Sequence, residues 1–516
     1  MHIVHAVQMR ELDRTAIDRI GIPGTELMEN AGRGTADYIQ RTFPESASGP
    51  VTVLCGRGNN GGDGFVIARY LHNAGSKVCA VLLSENKRVQ GDARINLEAF
   101  RSIGGRIVEA VSDGDLRIVE DELAHSRLVV DALLGTGLGN ELTGVYARVV
   151  DMVNAATHAP VVAVDIPSGI DSSTGRILGC AVRAHSTCTF ALPKYGHLLY
   201  PGARYAGVLT VIDIGIPQQL ITDACLPGSL QDIGDFSAVL PSRAPDAHKG
   251  DNGHVLLLAG SVGKSGAAVL SARAAMRSGA GLVTVAAPEK AQGHIAAQLL
   301  EPMSVPLEDC EGGLARRSLQ HILDLCADKN VLAMGPGLGT TDAVTGIVRG
   351  LITRSNLPMV IDADALNALA RDPDVLKQAT GPVILTPHPG EMARLTGQDT
   401  ARVQGDRINA ACNLAADCGA ITVLKGAHTI IASPDGRHWI NTSGNPAMAG
   451  AGMGDVLTGM IAALLAQKLP VLTAARMAVC VHGRIADMLV EERGPVPIIA
   501  SELIERIPSA LVECMP

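Results

Sequence analysis

Three aspartates stand where apolar runs of the sequence give way to glycine-rich loops. Asp131 and Asp165 each end such a run, and Asp455 closes the loop GAGMGD at positions 450–455. A carboxylate at a strand end can take a proton from a bound hydroxyl, and free N–H groups at the start of a helix attract phosphate oxygens. Aspartate is also common as a turn or helix-cap residue without a catalytic role. The pattern therefore makes Asp131 and Asp165 candidate pocket residues and favours phosphoryl transfer at Asp455, with structural roles as the alternative.

The stretch GRGNNGGDG at 56–64 is a further candidate binding loop, because its first six residues fit the dinucleotide pattern G-x-G-x-x-G. Glu85 closes the next predicted strand, as an acidic residue does in many NAD-binding domains. Asn59 and Asn60 add side-chain oxygens and amides that a pyrophosphate cradle does not need, and Asp63 can cap the following helix. The loop alone leaves open a redox cofactor site, another nucleotide site or a tight turn between strand and helix.

Short β-rich runs alternate with helical stretches along the chain, which is typical of parallel sheets covered by helices. The predicted strands are 51–55, 77–83, 127–133, 160–166, 186–192 and 208–214 in the first half, and 254–260, 282–287, 330–335, 358–364, 382–387 and 420–426 in the second. Residues 217–249 lose this periodicity and are rich in proline and polar residues, so we place a domain boundary near residue 230. Because ligands bind beyond the carboxyl ends of parallel strands, the loops after Asp131 and Asp165 are expected to frame one pocket with the loop at 56–64.

Composition narrows the class of protein. The net charge of −9 gives no sign of a nucleic-acid surface. The 11 cysteines include no C-x-x-C pair, which favours reduced thiols in a cytoplasmic protein. The first residues lack the apolar segment of a signal peptide, and the apolar stretch VLTGMIAALLA is too short to cross a bilayer. We therefore expect no nucleic-acid partner and no membrane association.

The first half resembles a known family in several motifs: LMENAG, NNGGDG, DALLGTGLGNE, VDIPSGID and LPKYG. Over about residues 1–215 these motifs are similar to the NAD(P)H-hydrate epimerase domain, and the resemblance implies a Rossmann-like domain at 1–225. Its substrate would be a nicotinamide nucleotide in which water has added across the ring double bond. The resemblance implies that the residues binding this hydrate are Asn59, Asn60, Gly61, Gly62, Asp63, Gly135, Thr136, Gly137, Leu138, Gly139, Asn140, Glu141 and Asp165.

The same resemblance implies a potassium ion in the first domain, held by oxygens of Asn60, Asp131 and Ser168. Hard oxygen donors suit such a cation. We assign acid/base catalysis to Asp165, because epimerisation at a carbon that bears both a hydroxyl and the ring nitrogen requires proton transfer.

The second half has a different set of motifs. GKSG at 263–266 is not a Walker A loop, since Leu258 stands where that pattern requires glycine. Asp435-Gly436 between two β-rich runs predicts a hairpin. The motifs HKGDNGHVLLLAGS, SGAAVLSARAAMRSGAGLV, MGPGLG, LTPHPGEMARL, LKGAHT and NPAMAGAGMGDVLTGMI resemble the ADP-dependent NAD(P)H-hydrate dehydratases of the ribokinase-like superfamily.

This second resemblance implies a ribokinase-like α/β domain at 230–516 that uses ADP with magnesium. The residues it implies for hydrate contact are Ala267, Gly337, His388 and Asp455, and those for nucleotide contact are Lys425, Gly426, Ala427, His428, Thr429 and Gly454. From the sequence alone, His388 can equally be a hydrogen-bonded loop histidine. Asp455 is assigned as the base that takes a proton from the hydroxyl while the loop amides stabilise the phosphoryl group.

Together the halves predict a two-domain α/β enzyme that repairs hydrated NADH and NADPH. The first domain would interconvert the R and S hydrates, and the second would phosphorylate the S hydroxyl from ADP and eliminate phosphate. The expected partners are the small molecules NADHX, NADPHX and ADP, and we expect a homo-oligomer. Two alternatives remain at this point: a ribokinase-like small-molecule kinase fused to a non-catalytic nucleotide-binding module, and an NAD-dependent oxidoreductase that rests only on G-x-G-x-x-G.

Overall fold

The computed structural model describes residues 1–240 and 242–515, which form two compact units, Met1–Leu226 and Pro227–Pro516. Each unit is built around one large, mainly parallel sheet with helices packed against it. The predicted fold class, a Rossmann-like three-layer domain followed by a ribokinase-like α/β domain, is confirmed. No helix in these described ranges is both long enough and apolar enough to span a bilayer.

The elements of the first unit alternate between strand and helix from residue 50 onwards. Its strands are β1 Pro50–Cys55, β2 Lys77–Leu82, β3 Arg106–Glu109, β4 Leu128–Ala132, β5 Val161–Val164, β6 Ser186–Phe190 and β7 Val208–Ile212. Its helices are α1 Ala6–Thr15, α2 Gly24–Thr42, α3 Pro44–Ala47, α4 Asn59–Asn73, α5 Gly91–Ser102, α6 Leu116–His125, α7 Gly144–Ala155, α8 Tyr195–Leu198, α9 Ala203–Ala206 and α10 Gln218–Asp223. A π-helical turn, Ala16–Ile20, follows α1 directly.

The sheet of the first unit has the order β3-β2-β1-β4-β5-β6-β7, and all its pairings are parallel. Apolar side chains of α2, α4 and α5 pack on one face, and those of α6 and α7 pack on the other. The strands are buried on both sides, which explains their near-continuous apolar runs. The strand order switches direction at β1: β2 and β3 lie on one side of it, and β4 to β7 lie on the other. Because β1 and β4 are parallel neighbours, the loops that follow them lie at the same end of the sheet.

The second unit contains a larger sheet. Its strands are β8 Gly228–Gln231, β9 His254–Leu258, β10 Leu282–Pro288, β11 Met303–Leu307, β12 Asp309–Cys310, β13 Gly313–Leu314, β14 Val331–Met334, β15 Met359–Ile361, β16 Val383–Leu385, β17 Ile421–Leu424, β18 Thr429–Ala432 and β19 His438–Asn441. Its helices are α11 Ser265–Arg277, α12 Glu289–Ala296, α13 Ser318–Cys326, α14 Asp342–Arg354, α15 Ala363–Leu369, α16 Pro389–Thr396, α17 Thr400–Gly405, α18 Arg407–Cys418, α19 Met453–Ala466, α20 Val471–Arg493 and α21 Ala500–Leu511.

The main sheet of this unit runs β11-β10-β9-β14-β15-β16-β17-β18-β19-β8, and β12 pairs with β13 in a separate two-stranded ribbon. From β11 to β17 the pairings are parallel, and β18 and β19 form the antiparallel hairpin predicted at Asp435-Gly436. Helix α19, apolar on nearly every side, is buried within the core cluster beside α11 and α20. Its burial explains why its sequence lacks a polar face.

All the strands predicted from apolar runs are present, but several short strands were not foreseen. β3 and β11 lie at the sheet edges, where half-exposed strands such as RIVE and MSVPL carry charged residues or proline. The stretch predicted as an irregular connector, 217–249, contains α10 and β8, and β8 pairs in parallel with β19. An edge strand of four residues, Gly228–Gln231, has too short a pattern to stand out from a loop.

Candidate active sites

A cavity of about 1000 Å³ opens at the carboxyl ends of the strands in the first unit. Its wall includes most residues that the sequence assigned to hydrate binding: Asn59, Asn60, Asp63, Gly135, Thr136, Gly137, Leu138, Gly139, Asn140, Glu141 and Asp165. Gly61 and Gly62 are buried in the first turn of α4 instead. A Cβ on Gly61 would lie 1.8 Å from the Gly56 carbonyl oxygen, and one on Gly62 would lie 2.7 Å from the Met28 sulfur. These two glycines permit the close packing that places their neighbours on the cavity wall.

Asp63 faces the cavity and does not cap a helix, so the cap interpretation is wrong. Helix α4 begins four residues earlier, at Asn59, with Gly58 as its N-cap. Asp63 is 8% exposed, and burial, together with the negative charges of Asp165 and Asp13, raises the pKa of its carboxyl well above 3.8. Its surroundings on the cavity wall thus favour the protonated form of this carboxyl.

Asp165 lies just past the end of β5 in an unusual backbone conformation. Its φ of 63° is in the left-handed region, which a non-glycine residue adopts only when its surroundings hold it there. The Asp165 N–H donates to the Cys188 carbonyl at 2.8 Å, and the Nε2 of His197 lies 2.8 Å from the Asp165 carbonyl oxygen. These contacts fix the direction in which the carboxylate points.

Lys194 is the ionic partner of Asp165. Its Nζ lies 2.5 Å from Oδ1 of Asp165 and also donates to the hydroxyl of Thr189 and the carbonyl of Phe190, at 2.9 and 3.1 Å. The lysine side chain is only 1% exposed. Burial alone would raise the pKa of Asp165, but the charge and hydrogen bond of Lys194 hold it below its ordinary value. Asp165 is therefore an ionised carboxylate on the cavity wall.

His197 positions this pair and stays neutral. Its Nδ1 accepts the Lys194 N–H at 3.0 Å, so its Nε2 carries the proton that is donated to the Asp165 carbonyl. Burial and the charge of Lys194 lower the pKa of His197 to about 4. Lys194 lies within the motif LPKYG and His197 directly follows it, but neither was predicted as a site residue. The motif was the only signal, because the contact with Asp165 depends on how β5 and β6 pair.

The three predicted potassium ligands meet at the end of β4. Asp131 is fully buried, and its two carboxylate oxygens accept the hydroxyl and the N–H of Ser168 at 2.6 and 2.8 Å. Asn60 lies beside this loop, since its Oδ1 is 3.0 Å from the position that a Cβ on Gly135 would occupy. The Ser168 hydroxyl also lies 3.2 Å from the Leu134 carbonyl oxygen. The structure therefore brings together carboxylate, hydroxyl, amide and carbonyl oxygens.

This oxygen set fits a hard cation. Among residues 1–240 and 242–515, no lysine, arginine or histidine forms an ion pair with Asp131, and burial raises the pKa of its carboxyl to about 6. The buried Nδ2 of Asn60 has no hydrogen-bond partner. In the same described ranges, no cluster of three or more His, Cys, Asp or Glu side chains could hold a metal. The donors are oxygens, the atoms that hard cations prefer.

In the second unit, the glycine-rich loop ends at the start of α19. The helix begins at Met453, and its N-cap is Gly452, which has a φ of 88°. Asp455 is therefore the third residue of the helix and not its cap, which corrects the cap interpretation. Burial and the neighbouring carboxylate of Asp362 raise the pKa of Asp455 to about 6. The main-chain carbonyl of Asp455 accepts the Ser271 hydroxyl at 2.9 Å, which ties the start of α19 to α11.

A buried ion pair lies beside this loop. The Nζ of Lys425 is 2.6 Å from Oδ1 of Asp362, and a Cβ on Gly454 would lie 3.2 Å from that Nζ. The hydroxyls of Thr386 and Thr458 donate to the two oxygens of Asp362 at 2.8 Å each. Asp362 was not predicted as a site residue and lies within the predicted strand 358–364, although its carboxylate connects the ends of three strands to α19.

The predicted nucleotide segment 425–429 forms the turn into β18, and Arg407 holds it. The guanidinium of Arg407 donates to the carbonyls of Leu424, Lys425 and Ala427. Burial lowers the pKa of Arg407 to about 10, and its Nε has no partner. Within the turn, Gly426 and His428 have φ values of 139° and 52°, and the Thr429 hydroxyl donates to the Gly426 carbonyl at 3.0 Å. Arg407 was not predicted from the sequence, because it binds main-chain carbonyls, and these are the same whatever the residue type.

The remaining predicted hydrate contacts of this unit lie at two places. Gly337 has a φ of 66°, and a Cβ there would lie 2.8 Å from the Lys264 carbonyl oxygen and 3.2 Å from the Cβ of Ala267. The structure thus brings Ala267 and Gly337 together. His388 is the N-cap of α16, and its Nδ1 accepts the N–H groups of Gly390 and Glu391 at 3.0 and 3.3 Å.

His388 is a hydrogen-bonded cap residue whose ring stays half-exposed, and its contact with the hydrate remains a prediction. Its side chain is 50% exposed, so one edge of the ring caps α16 while the other reaches solvent 3.3 Å from the Glu391 carboxylate. Burial and the positive charge of Lys425 lower the pKa of His388, whereas Asp362 opposes this shift, so the ring interacts with the buried ion pair. Lys425 also lowers the pKa of Asp455, and Glu391 raises it. Charged groups from several strand ends therefore surround one point at the start of α19.

The two halves of the chain match two different protein families. Residues 24–196 match the family model described as the YjeF-related protein N-terminus, and residues 255–509 match the family model described as NAD(P)H-hydrate dehydratase. A solved structure of the ADP/ATP-dependent NAD(P)H-hydrate dehydratase from Bacillus subtilis, co-crystallized with ATP and Mg²⁺, is similar to 55% of this chain. It is 34% identical, is covered over 96% of its own length and has a TM-score of 0.47.

Several relatives match along the whole chain. The bifunctional NAD(P)H-hydrate repair enzyme Nnr of Moorella thermoacetica is 44% identical over 513 residues, which is 99% of this chain and 97% of the relative. Those of Thermofilum pendens and Escherichia coli are 40% and 35% identical, over 99% and 98% of this chain and 96% and 92% of their own lengths. The resemblance inferred from the motifs is confirmed, and the kinase alternative is not favoured. The chain belongs to the family of bifunctional NAD(P)H-hydrate repair enzymes.

Proposed function

We propose that the cavity of the first unit binds the hydrate of NADH or NADPH and that Asp165 exchanges the proton of its hydroxyl group. The observation that carries this proposal is the ion pair of Asp165 with Lys194 at the cavity wall, 2.5 Å long, which keeps the carboxylate ionised. When the carboxylate takes the hydroxyl proton, the bond between the carbinol carbon and the ring nitrogen breaks. Closure on the opposite face of the resulting carbonyl gives the other epimer.

The loops around this cavity have roles that follow from their chemistry. Arg57 and Arg88 line its wall and are suited to the negative charges of a pyrophosphate. Asn59, Asn60 and residues 135–141 add amide and backbone groups that can hydrogen-bond the ribose and carboxamide. Potassium, when bound by Asn60, Asp131 and Ser168, supplies positive charge at this edge of the sheet, where Asp131 is otherwise a buried carboxylate without a cationic partner.

In the second unit, we assign phosphoryl transfer and elimination to the start of α19. Asp455 takes the proton of the hydrate hydroxyl as its oxygen attacks the terminal phosphate of ADP, and the amides around Gly454 face the transferred group. Phosphate is a far better leaving group than hydroxide, so the phosphorylated hydrate can eliminate and restore the ring double bond. Magnesium normally bridges nucleotide phosphates in such reactions and would enter with ADP.

The union of the two activities in one chain has a chemical reason. Addition of water to the ring produces both epimers, and a dehydratase that accepts only the S form leaves the R form unrepaired. An epimerase in the same chain converts the R form into a substrate. The proposed reactants are therefore NADHX, NADPHX and ADP.

The test is to incubate the full chain with mixed epimers, magnesium and ADP and to follow the recovery of reduced-nicotinamide absorbance. Complete recovery of absorbance together with release of one phosphate per molecule repaired is expected. Accumulation of a stable phosphorylated product would indicate a kinase instead. Recovery that stops when the S form is consumed would remove the epimerase from the proposal.

A further inference from the structure

The N-terminal segment is attached directly to the loop that carries Lys194. The N–H of Val4 donates to the Pro193 carbonyl at 3.0 Å, and the N–H of Tyr195 donates to the Val4 carbonyl at 3.3 Å. The ring of His5 stacks on that of Tyr195 with centroids 4.1 Å apart. The two hydrogen bonds form a parallel β-bridge between Val4 and Lys194. The loop that holds the active-site lysine therefore also sets the position of α1.

Helix α1, anchored in this way, presents one carboxyl group, that of Asp13, to the cavity. Met9 and Leu12 pack into the core, and Met9 and Asp13, one helical turn apart, both line the cavity wall. The π-helical turn Ala16–Ile20 follows at once and changes the direction of the chain. Such turns occur often beside functional sites. Asp13 thus shares one cavity with Lys194 and Asp165.

Burial and the charges on this wall give the two carboxyl groups different pKa values. Burial raises the pKa of Asp13 to about 6, with Lys194 lowering it and Asp165 raising it. The negative charge of Asp13 also contributes to the raised pKa of Asp63 on α4, and Arg10 on α1 lines the same cavity. The pKa of Asp165 is held below its ordinary value. Two carboxyl groups with divergent pKa values in one pocket are the usual arrangement of a general acid and a general base.

We propose that Asp13 is the proton donor of the epimerase site, acting on the ring nitrogen while Asp165 takes the hydroxyl proton. This proposal rests on the proposed epimerase function. In the forward direction, the O–H proton passes to Asp165, the oxygen forms a carbonyl, and the electron pair of the broken carbon–nitrogen bond stays on nitrogen. That nitrogen receives the proton of Asp13. In ring closure the nitrogen attacks the other face, its proton returns to Asp13, and the oxygen regains its proton from Asp165. Atoms and charges balance, and no external reactant is needed.

The experiment uses the full chain without ADP, so that dehydration is absent and interconversion is observed alone. Purified R hydrate is mixed with the enzyme, and formation of the S form is followed by chromatography with the uncatalysed rate subtracted. Asp13→Asn should lower kcat at least about 100-fold while KM changes less than about threefold, because the carboxylic acid acts on the reacting atoms. Asp13→Glu should recover part of the rate, and ADP-dependent dehydration of the S form should stay at the wild-type rate.

The pH profile gives a readout that a structural role would not move. A donor must be protonated, so the wild-type kcat/KM should fall above about pH 6, and this limb should be missing from the residual activity of Asp13→Asn. Asp18→Asn, an exposed acid on the neighbouring π-helical turn, is the matched control and should behave as wild type. If a thermal unfolding experiment shows that Asp13→Asn is not folded, the rate of Asp13→Glu and the wild-type pH profile decide the question.

Other outcomes would overturn the assignment. Retention of kcat within about threefold in Asp13→Asn would remove Asp13 from proton transfer, and a raised KM with unchanged kcat would make it a binding residue. A full loss in Asp63→Asn with a normal rate in Asp13→Asn would transfer the role to Asp63. Absence of interconversion by the wild-type enzyme would instead contradict the epimerase function itself.

Discussion

The Nζ of Lys425 lies 2.6 Å from Oδ1 of Asp362, whose side chain is only 1% exposed. The pair joins the strand before the predicted nucleotide turn to the strand before α15, next to the glycine-rich start of α19. Burial alone would lower the pKa of Lys425, but Asp362 and Glu391 raise it above its ordinary value, so the lysine stays charged. A fixed positive charge at this point suits the phosphate groups of a nucleotide.

Removal of Asp362 should destabilise the second unit strongly. Asp362→Ala leaves Lys425 largely buried without its partner, and breaking such a pair costs about 3–5 kcal/mol. We expect the lower end, because Glu391 remains 3.9 Å from Lys425. Denaturant unfolding followed by fluorescence measures this directly, since the single tryptophan, Trp439, lies in β19 of this unit.

Two variants control that measurement. Asp374→Ala removes an exposed ion pair with Lys377 and should change stability by no more than about 1 kcal/mol. The double variant Asp362→Ala with Lys425→Met should regain part of the lost stability, because no unpaired charge is left. Equal destabilisation by Asp362→Ala and Asp374→Ala would show that the buried pair has no special importance.

Asp165→Asn should abolish interconversion of the hydrates. The change keeps the size of the side chain but removes the base, so we expect a loss of at least about 100-fold with ADP-dependent dehydration of the S form intact. Because the pKa of Asp165 lies below its ordinary value of 3.8, the wild-type base should stay ionised down to that pH. Chromatography of both epimers checks the rate, and an unchanged rate would require another base.

Asp131→Ala should remove the response of the epimerase to potassium. It deletes the charged oxygen donor of the proposed ion site, so interconversion should fall and become equal in potassium and lithium chlorides at constant ionic strength. Asp121→Ala, an exposed change on α6, should keep the wild-type response. A normal potassium response in Asp131→Ala would leave that carboxylate with a purely structural role at the end of β4.

Asp455 should control the pH dependence of dehydration. A base must be ionised, and its pKa of about 6 predicts that kcat/KM rises tenfold per pH unit up to about pH 6 and then levels. The negative charge of Asp364 raises this pKa, so Asp364→Asn should move the limb to lower pH. Asp455→Asn should bind ADP normally by calorimetry but lose at least about 100-fold in rate. Turnover within about threefold of wild type would place the base elsewhere.

Arg407→Gln should weaken ADP binding more than it slows turnover. The guanidinium holds the carbonyls of Leu424, Lys425 and Ala427, and loss of charged hydrogen bonds from a turn costs about 1.5–3 kcal/mol. We expect the ADP dissociation constant to rise about tenfold, with kcat at saturating ADP within about threefold. Arg402→Gln, an exposed arginine on α17, is the control. An unchanged dissociation constant would mean that the turn keeps its shape without Arg407.

The sequence alone determined the fold class and the principal loops. Parallel strands buried on both faces require long apolar runs, and such runs predicted each central strand of both sheets. The glycine-rich loops follow those strands directly, so the sequence also predicted which loops would meet at the sheet edge. The strand pattern placed Asn59 and Asp131 in these loops, and the family resemblance supplied the roles of residues such as Gly454.

The tertiary structure decided which side chains act on one another. Lys194 and Asp165 are 29 positions apart, and Lys425 and Asp362 are 63 apart, so no local periodicity connects them. Their pairing follows from strand order, which brings distant loops to one edge.

Asp63 and Asp455 looked like cap residues because glycine precedes them, whereas the helices start earlier and turn both carboxyls toward the sites. Asp13 gains its place only because residues before α1 bridge to the Lys194 loop, a contact between segments 190 positions apart (4 to 194). Local pattern reports burial and backbone conformation, but ionisation depends on neighbours that only the folded chain supplies.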